Sequence, residues 1–171
     1  MRYEIAYNRE LYNVLSDVQY AVWRIKNKAA SLAYDWQQFS FSYNERFGVY
    51  PKDKEFFGKT LSADIYGQVK HLGEHIASYT VDAATQQAVK KFKEDKPKIV
   101  RGEIAMTNYK RNCAFPIRAK QVGGLKRETA KKYTANIALL SKVGAKERES
   151  NTRFPIVLRT GNGANTILDR V

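Results

Sequence analysis

The sequence of 171 residues has one cysteine, two histidines, four prolines and no long apolar run. Each scarcity removes a class of function. Cys113 has no partner for a disulfide within the chain and cannot build a thiolate zinc site; one cysteine fits a reducing compartment. No stretch of about 18 apolar residues is present, so no membrane span is expected. The start, Met1-Arg2-Tyr3-Glu4-Ile5, lacks the apolar segment of a secretory signal. The acidic residues do not cluster as a two-metal site needs, and nothing marks a Ser-His-Asp triad or a Cys-His pair.

What is present is positive charge. Lys and Arg total 30 against 17 acidic residues, a net of +13. The excess is uneven. Residues 1–89 carry 10 basic and 10 acidic groups, residues 90–132 carry 14 and 4, and residues 133–171 carry 6 and 3. Phosphate backbones are the usual partner of such a block, because each neutralised phosphate releases a counterion. The 21 aromatic residues can add base stacking. A solvated basic face kept for solubility is the plain alternative. An anionic membrane surface fits less well, since the densest basic run lacks a wide apolar face.

Hydrophobic spacing predicts a short strand over 2–6 and a long helix over 9–39. Leu11, Leu15, Val18, Val22, Ile25, Ala29, Leu32 and Trp36 form one stripe on that helix. Arg24, Lys26 and Lys28 fall off the stripe and are free to face a backbone. Residues 40–58 read as an aromatic-rich loop. A second helix is expected over 62–72, weakened by Gly73, and a third over 82–95, capped by Asp82 and stopped by Pro97. Strands are expected over 99–106, 115–122, 132–141 and 153–160. Gly161-Asn162-Gly163 reads as a turn, with a helix starting near Asn165.

Two short patterns invite chemistry. His71-Leu72-Gly73-Glu74-His75 matches H-x-x-E-H, but Gly73 interrupts the turn and no third ligand stands out. Gly161–Thr166 resembles a phosphate loop without its Gly-Lys-Ser/Thr core. Neither supports a metal, a cofactor or a catalytic residue. The segment Arg101-Gly102-Glu103 through Asn108-Tyr109-Lys110-Arg111 is more informative, because it joins a permissive glycine, polar groups, a ring and cations.

With these residues in view, the chain resembles the N-terminal part of the compact type V-F CRISPR-associated nucleases, relatives of the TnpB nucleases. The resemblance is carried by Tyr3-Glu4-Ile5, Lys28-Ala29, Ala33-Tyr34-Asp35-Trp36, Gly48-Val49-Tyr50-Pro51-Lys52-Asp53-Lys54, Ile99-Val100-Arg101-Gly102-Glu103, Tyr109-Lys110-Arg111, Phe115-Pro116-Ile117 and Arg159-Thr160-Gly161. It implies an α+β fold: a partial wedge-type β-barrel with an inserted helical recognition bundle. Residues 1–8 would be the first barrel strand, 9–97 the helical insertion and 98–171 the remaining, incomplete barrel region. It further implies that Tyr66, Asn108, Tyr109 and Lys110 contact the DNA motif beside the target, although the family usually has Pro-Ser where this chain has Thr107-Asn108. Lys90, Lys91, Lys93, Lys96, Lys98, Arg101, Arg111, Arg118 and Lys120 are the expected nucleic-acid backbone contacts.

The family continues into a RuvC-like nuclease and a zinc ribbon, whereas this sequence ends before the strand that carries the first acidic ligand. No cleavage is therefore expected, and no cofactor. The expected partners are guide-type RNA, DNA, and a compact type V effector or a second copy of the chain, in a prokaryotic cytoplasm with phage or plasmid origin open. One functional reading is an anti-CRISPR competitor. The other is a passive module: a split-effector subunit, a guide-dependent repressor or a truncated remnant.

Overall fold

The computed structural model describes residues 4–5, 8–129 and 132–159. The turn at 161–163 and the helix expected from Asn165 lie outside them. The element order is β1 (Glu4–Ile5), α1 (Arg9–Phe47), α2 (Asp53–Phe57), α3 (Leu61–Val69), α4 (Ser78–Val100), β2 (Val122–Thr129), β3 (Lys132–Ala138), α5 (Lys142–Glu147) and β4 (Arg153–Arg159). The strands form one antiparallel sheet in the order β1-β4-β3-β2. The first strand thus lies beside the last, and helices α1–α4 are inserted between β1 and the rest of the sheet. The fold is mixed helix and strand. Among the described residues the sheet is open.

α1 begins at Asn8, whose Oδ1 accepts the Leu11 N–H at 3.1 Å. Its stripe behaves as its spacing predicts. Leu11, Val18, Val22, Ile25 and Ala29 are buried with Val14, Ala21, Ala30 and Ala33, while Leu15, Leu32 and Trp36 pack at the margin. The helix runs on to Phe47, eight residues past its expected end at residue 39. The aromatics read as loop residues instead pair along the helix. Phe39 meets Tyr43 with centroids 5.8 Å apart, and Tyr43 meets Phe47 at 4.5 Å. Gly48, at φ 72°, ends the helix. α2 falls within the same expected loop and seats Phe56 and Phe57 against Trp36.

α3 starts one residue before its expected position, capped by Thr60, and passes into a 3₁₀ turn over Lys70–Gly73. Gly73 is buried: a Cβ there would lie 2.8 Å from Val81 and 2.9 Å from Ile25. α4 departs further from expectation. It begins at Ser78, so Asp82 is not its cap, and it continues through Pro97 to Val100. Pro97 is exposed, and so is Lys93, whose carbonyl loses a donor; water can supply one there. The strand expected over 99–106 is consequently absent, with 99–100 closing the helix. The strand expected over 115–122 is an extended linker ending in a 3₁₀ turn at Ala119–Gln121. The strand that does form, β2, opens with Val122-Gly123-Gly124, carries mostly exposed side chains and is irregularly paired with β3.

The helical layer and the sheet meet at two joints. At one, Ile76 bridges Leu140, Ala77 N–H donates to Leu139 O at 2.9 Å, and Ser141 N–H donates to His75 O at 3.1 Å. At the other, Gln121 is fully buried; its Nε2 donates to Thr80 Oγ1 at 2.8 Å and Ala138 O at 2.9 Å, and its Oε1 accepts Arg118 N–H at 2.9 Å. A buried amide with its hydrogen bonds made fixes the orientation of what it joins.

Candidate nucleic-acid interface

The basic block does not form one uniform surface. Lys90, Lys93 and Lys98 are exposed on α4. Lys96 is half-buried, with Nζ 5.7 Å from the Phe41 ring centroid. Lys91 is committed to Asp95 at 2.6 Å. Asp95 is 5% exposed and also accepts the Thr107 hydroxyl at 3.0 Å. The Lys91 ammonium first, and the Thr107 hydroxyl against the opposing effect of burial, hold the Asp95 carboxyl below the usual carboxylate range. Arg101 pairs with Glu103 at 2.5 Å, Arg118 with Asp82 at 2.6 Å, and Lys90 more loosely with Glu94 at 3.9 Å. Among the described residues, Lys93, Lys96, Lys98, Lys110, Arg111 and Lys120 have no carboxylate partner. These are the cations best able to meet phosphate.

Between α4 and the sheet, residues 101–118 have little regular structure of their own. Polar side chains of α1 supply their hydrogen bonds. Asn27 Oδ1 accepts Tyr109 N–H at 2.9 Å, and Asn27 Nδ2 donates to Tyr109 O at 3.1 Å. Trp23 Nε1 donates to the same oxygen at 2.8 Å. Further along, Gln19 Nε2 donates to Cys113 O at 3.3 Å and Lys26 Nζ to Ala114 O at 2.7 Å. Lys26 is 5% exposed, so it does not face a backbone as its place off the stripe suggested. Burial pushes its ammonium below the ordinary lysine value.

This strapping decides what Asn108, Tyr109, Lys110 and Arg111 present. The Tyr109 ring is half-buried, 5.3 Å from Lys26 Nζ, and its hydroxyl donates to Gln87 O at 3.5 Å. Burial, with Asp95 nearby, pushes that hydroxyl up to about 12, so it remains a neutral donor. Asn108, Lys110 and Arg111 point to solvent. Arg111 lies over the Tyr20 ring, 5.0 Å from its centroid. Tyr66 lies apart, on α3, in a cleft of about 300 Å³ with Lys70, His71, Glu74 and Ser141. It shares no hydrogen bond or ring contact with residues 108–110 among the described residues.

The H-x-x-E-H pattern does not place its imidazoles on one α-helical turn. His71 is in the 3₁₀ turn and His75 follows it. Among the described residues no three His, Cys, Asp or Glu side chains gather into a metal-holding group, and no helix is long and apolar enough to cross a membrane.

Sequence reasoning missed Gln19, Tyr20, Trp23 and Asn27. Their signal was faint: polar and aromatic residues on the side of α1 opposite a clear apolar stripe, where solvent is the ordinary expectation.

No family model matches the chain. It is similar to the CRISPR-associated endodeoxyribonuclease Cas12f1 of Sulfoacidibacillus thermotolerans, at 26% identity over 164 residues. The similarity covers 95% of this chain and 39% of that relative, so the chain spans about two fifths of the nuclease's length.

Proposed function

We propose that this chain binds guide-type RNA as the recognition part of a type V CRISPR effector does, and contacts DNA through the same cationic region. The observation that carries the reading is the distribution of unpaired charge. Lys93, Lys98, Lys110 and Arg111 are exposed without a carboxylate partner, while neighbouring cations are consumed in ion pairs. A face kept for solubility has no need of a linker strapped down by Asn27 and Trp23.

On this reading, residues 9–97 form a helical recognition insertion, and strands before and after it belong to a wedge-type β-barrel. Tyr66, Asn108, Tyr109 and Lys110 are the proposed contacts to a DNA motif. Lys93, Lys96, Lys98, Arg111 and Lys120 are the proposed contacts to backbone, whereas Lys90, Lys91, Arg101 and Arg118, expected there from the sequence, are already paired with Glu94, Asp95, Glu103 and Asp82. The chain itself does not cut. RNA held by it is withheld from a complete effector by mass action, so interference with a related effector, as an anti-CRISPR competitor, is the proposed consequence.

The deciding experiment is competition binding. The purified chain is offered a labelled guide RNA of a compact type V effector against unlabelled tRNA. At least tenfold preference for the guide is expected, together with intact guide-matched DNA after incubation with Mg²⁺. Equal affinity for tRNA would leave only general polyanion binding.

A further inference from the structure

Two guanidinium groups converge on one exposed ring, away from the expected contact residues of α4. Arg24, on α1, lies 5.9 Å from the Tyr20 centroid, and Arg111, from the linker, lies 5.0 Å from it. Tyr20 is 41% exposed, and its ring stands 5.6 Å from that of Trp23. Neither arginine has a carboxylate partner among the described residues. Holding two like charges beside one ring costs repulsion, and the ring quadrupole offsets part of it. An anion bound between them would remove the rest. Trp23 also lines an open cleft of about 310 Å³ with Arg24, Lys28 and His71, a volume at the small end of ligand sites.

We propose that Tyr20, Trp23, Arg24, Lys28, His71 and Arg111 form a site for an unpaired nucleotide of a bound strand. The base stacks on the aromatic pair, and the guanidinium groups and Lys28 take the flanking phosphates. This deepens the nucleic-acid reading given above and rests on it. An unpaired nucleotide is favoured over a duplex because the exposed aromatic surface gains only from a base face, which a duplex keeps stacked within itself. The linker half of the site is held in place by Asn27 and Trp23 through Tyr109, two residues before Arg111. His71 gains a role that the H-x-x-E-H pattern did not give it.

The test uses the full chain and two probes of matched length: a fluorescein-labelled oligouridine and a blunt RNA hairpin. Tyr20→Leu is expected to weaken oligouridine binding about tenfold or more, the range of one lost stacking partner, and hairpin binding by less than about threefold. Tyr20→Phe keeps the ring and is expected to restore wild-type affinity, which separates stacking from any effect on folding. Ultraviolet crosslinking of bound oligouridine should label the tryptic peptide 10–24, which holds Tyr20 and Trp23. Loss of affinity in Tyr20→Phe equal to that in Tyr20→Leu overturns the stacking role. Equal losses on both probes, or displacement of oligouridine by polyglutamate of matched charge, overturn the nucleotide assignment in favour of a general anion site. Crosslinks confined to residues 90–110 overturn this site while leaving the proposed function standing. A wild-type chain that binds neither probe sinks both.

Discussion

The carboxamide of Asn27 engages both backbone polar groups of Tyr109, 82 residues further along the chain: Oδ1 accepts the N–H at 2.9 Å and Nδ2 donates to the carbonyl at 3.1 Å. One side chain in the middle of a long helix thereby sets the register of a linker without secondary structure. The arrangement converts a loop into a fixed platform for Lys110 and Arg111.

Replacing Asn27 tests that role directly. In Asn27→Ala the carbonyl of Tyr109 keeps the Trp23 indole, but the N–H loses its acceptor. The expected cost is about 1–3 kcal/mol, the penalty for an unsatisfied polar group. A lower urea midpoint at unchanged slope would register it, and the Tyr109 amide should exchange faster with solvent. Unaltered exchange at Tyr109 would mean that other contacts hold the linker.

The pair of Asp95 and Thr107 ties the start of the same linker to α4. Because the Asp95 carboxyl is held below its ordinary 3.8 when folded, its contribution is present above that value and is lost as pH falls through the folded pKa. Asp95→Asn should therefore be less stable than wild type at neutral pH, and the two should converge in acid. Thr107→Val, which removes one donor from a buried carboxylate, should cost about 1–2 kcal/mol. Urea titrations at pH 7 and pH 3 measure both; a constant gap across that range would contradict the ionic account.

The parts of the fold that were legible in the sequence are those set by local repetition. The α1 stripe alternates by four and three, and the buried residues follow it. β3 and β4 carry alternating apolar residues and start where expected, with β3 ending at Ala138, three residues short of its expected end. The errors lie where distant contacts decide. Phe39 and Tyr43 look like loop aromatics until Phe56 is folded against them, and Phe47 until it is seen to pack on Tyr43. Ile99 and Val100 look like the start of a strand until α4 is seen to pass Pro97 at an exposed position. Most of all, the linker at 101–118 has no periodic signal, because its hydrogen-bond partners are α1 side chains more than 80 positions away. The cationic block was evident from composition, but its division into paired and unpaired charges follows from which carboxylates fold beside it.

Lys26 offers a second pH-dependent test, with the same sign of slope in the alkaline range. Its folded pKa lies below the ordinary 10.5 because burial disfavours the ammonium. Between the two values the unfolded chain holds a proton that the folded chain has released, so stability from this residue rises with pH through that window. Lys26→Met removes the buried charge but also the bond to Ala114 O, opposing effects of about 1 kcal/mol each. The diagnostic is the slope. Wild type should gain on Lys26→Met as pH climbs from 8 towards 10.5, and parallel stability curves would refute the assignment.

Gly144 marks a close approach between the sheet side and the helical layer. A Cβ there would lie 2.0 Å from the carbonyl oxygen of His75, which is backbone and cannot rotate away. Gly144→Ala should destabilise the protein by more than about 2 kcal/mol, in the range of overpacking. Gly58→Ala serves as a comparison: it has open space around it but the left-handed φ of 67°, and should cost about 1 kcal/mol. Thermal melts rank the two, and equal costs would mean that the joint yields.

The sharpest functional consequence concerns salt. For a backbone-binding protein, the logarithm of affinity falls with the logarithm of salt concentration, by about 0.7–0.9 per phosphate neutralised. Lys93, Lys98 and Lys110 are exposed and have no carboxylate partner, whereas Lys91 and Arg118 are bonded to Asp95 and Asp82. A cation already held by a carboxylate must lose that partner before it gains a phosphate, so its net contribution to counterion release is small. The triple variant Lys93→Gln, Lys98→Gln, Lys110→Gln is thus expected to lower the slope on structured RNA by about 2–3, with little change in urea stability. The double variant Lys91→Gln, Arg118→Gln removes two positive charges against three in the triple variant. It is expected to change the slope by less than about 1 and instead to reduce stability, because it strands Asp95 beneath the linker. Fluorescence anisotropy across 50–300 mM KCl, with urea melts of the same preparations, separates the two patterns. A slope that drops in proportion to charge removed, whichever set is replaced, would show that total charge rather than this placement governs binding.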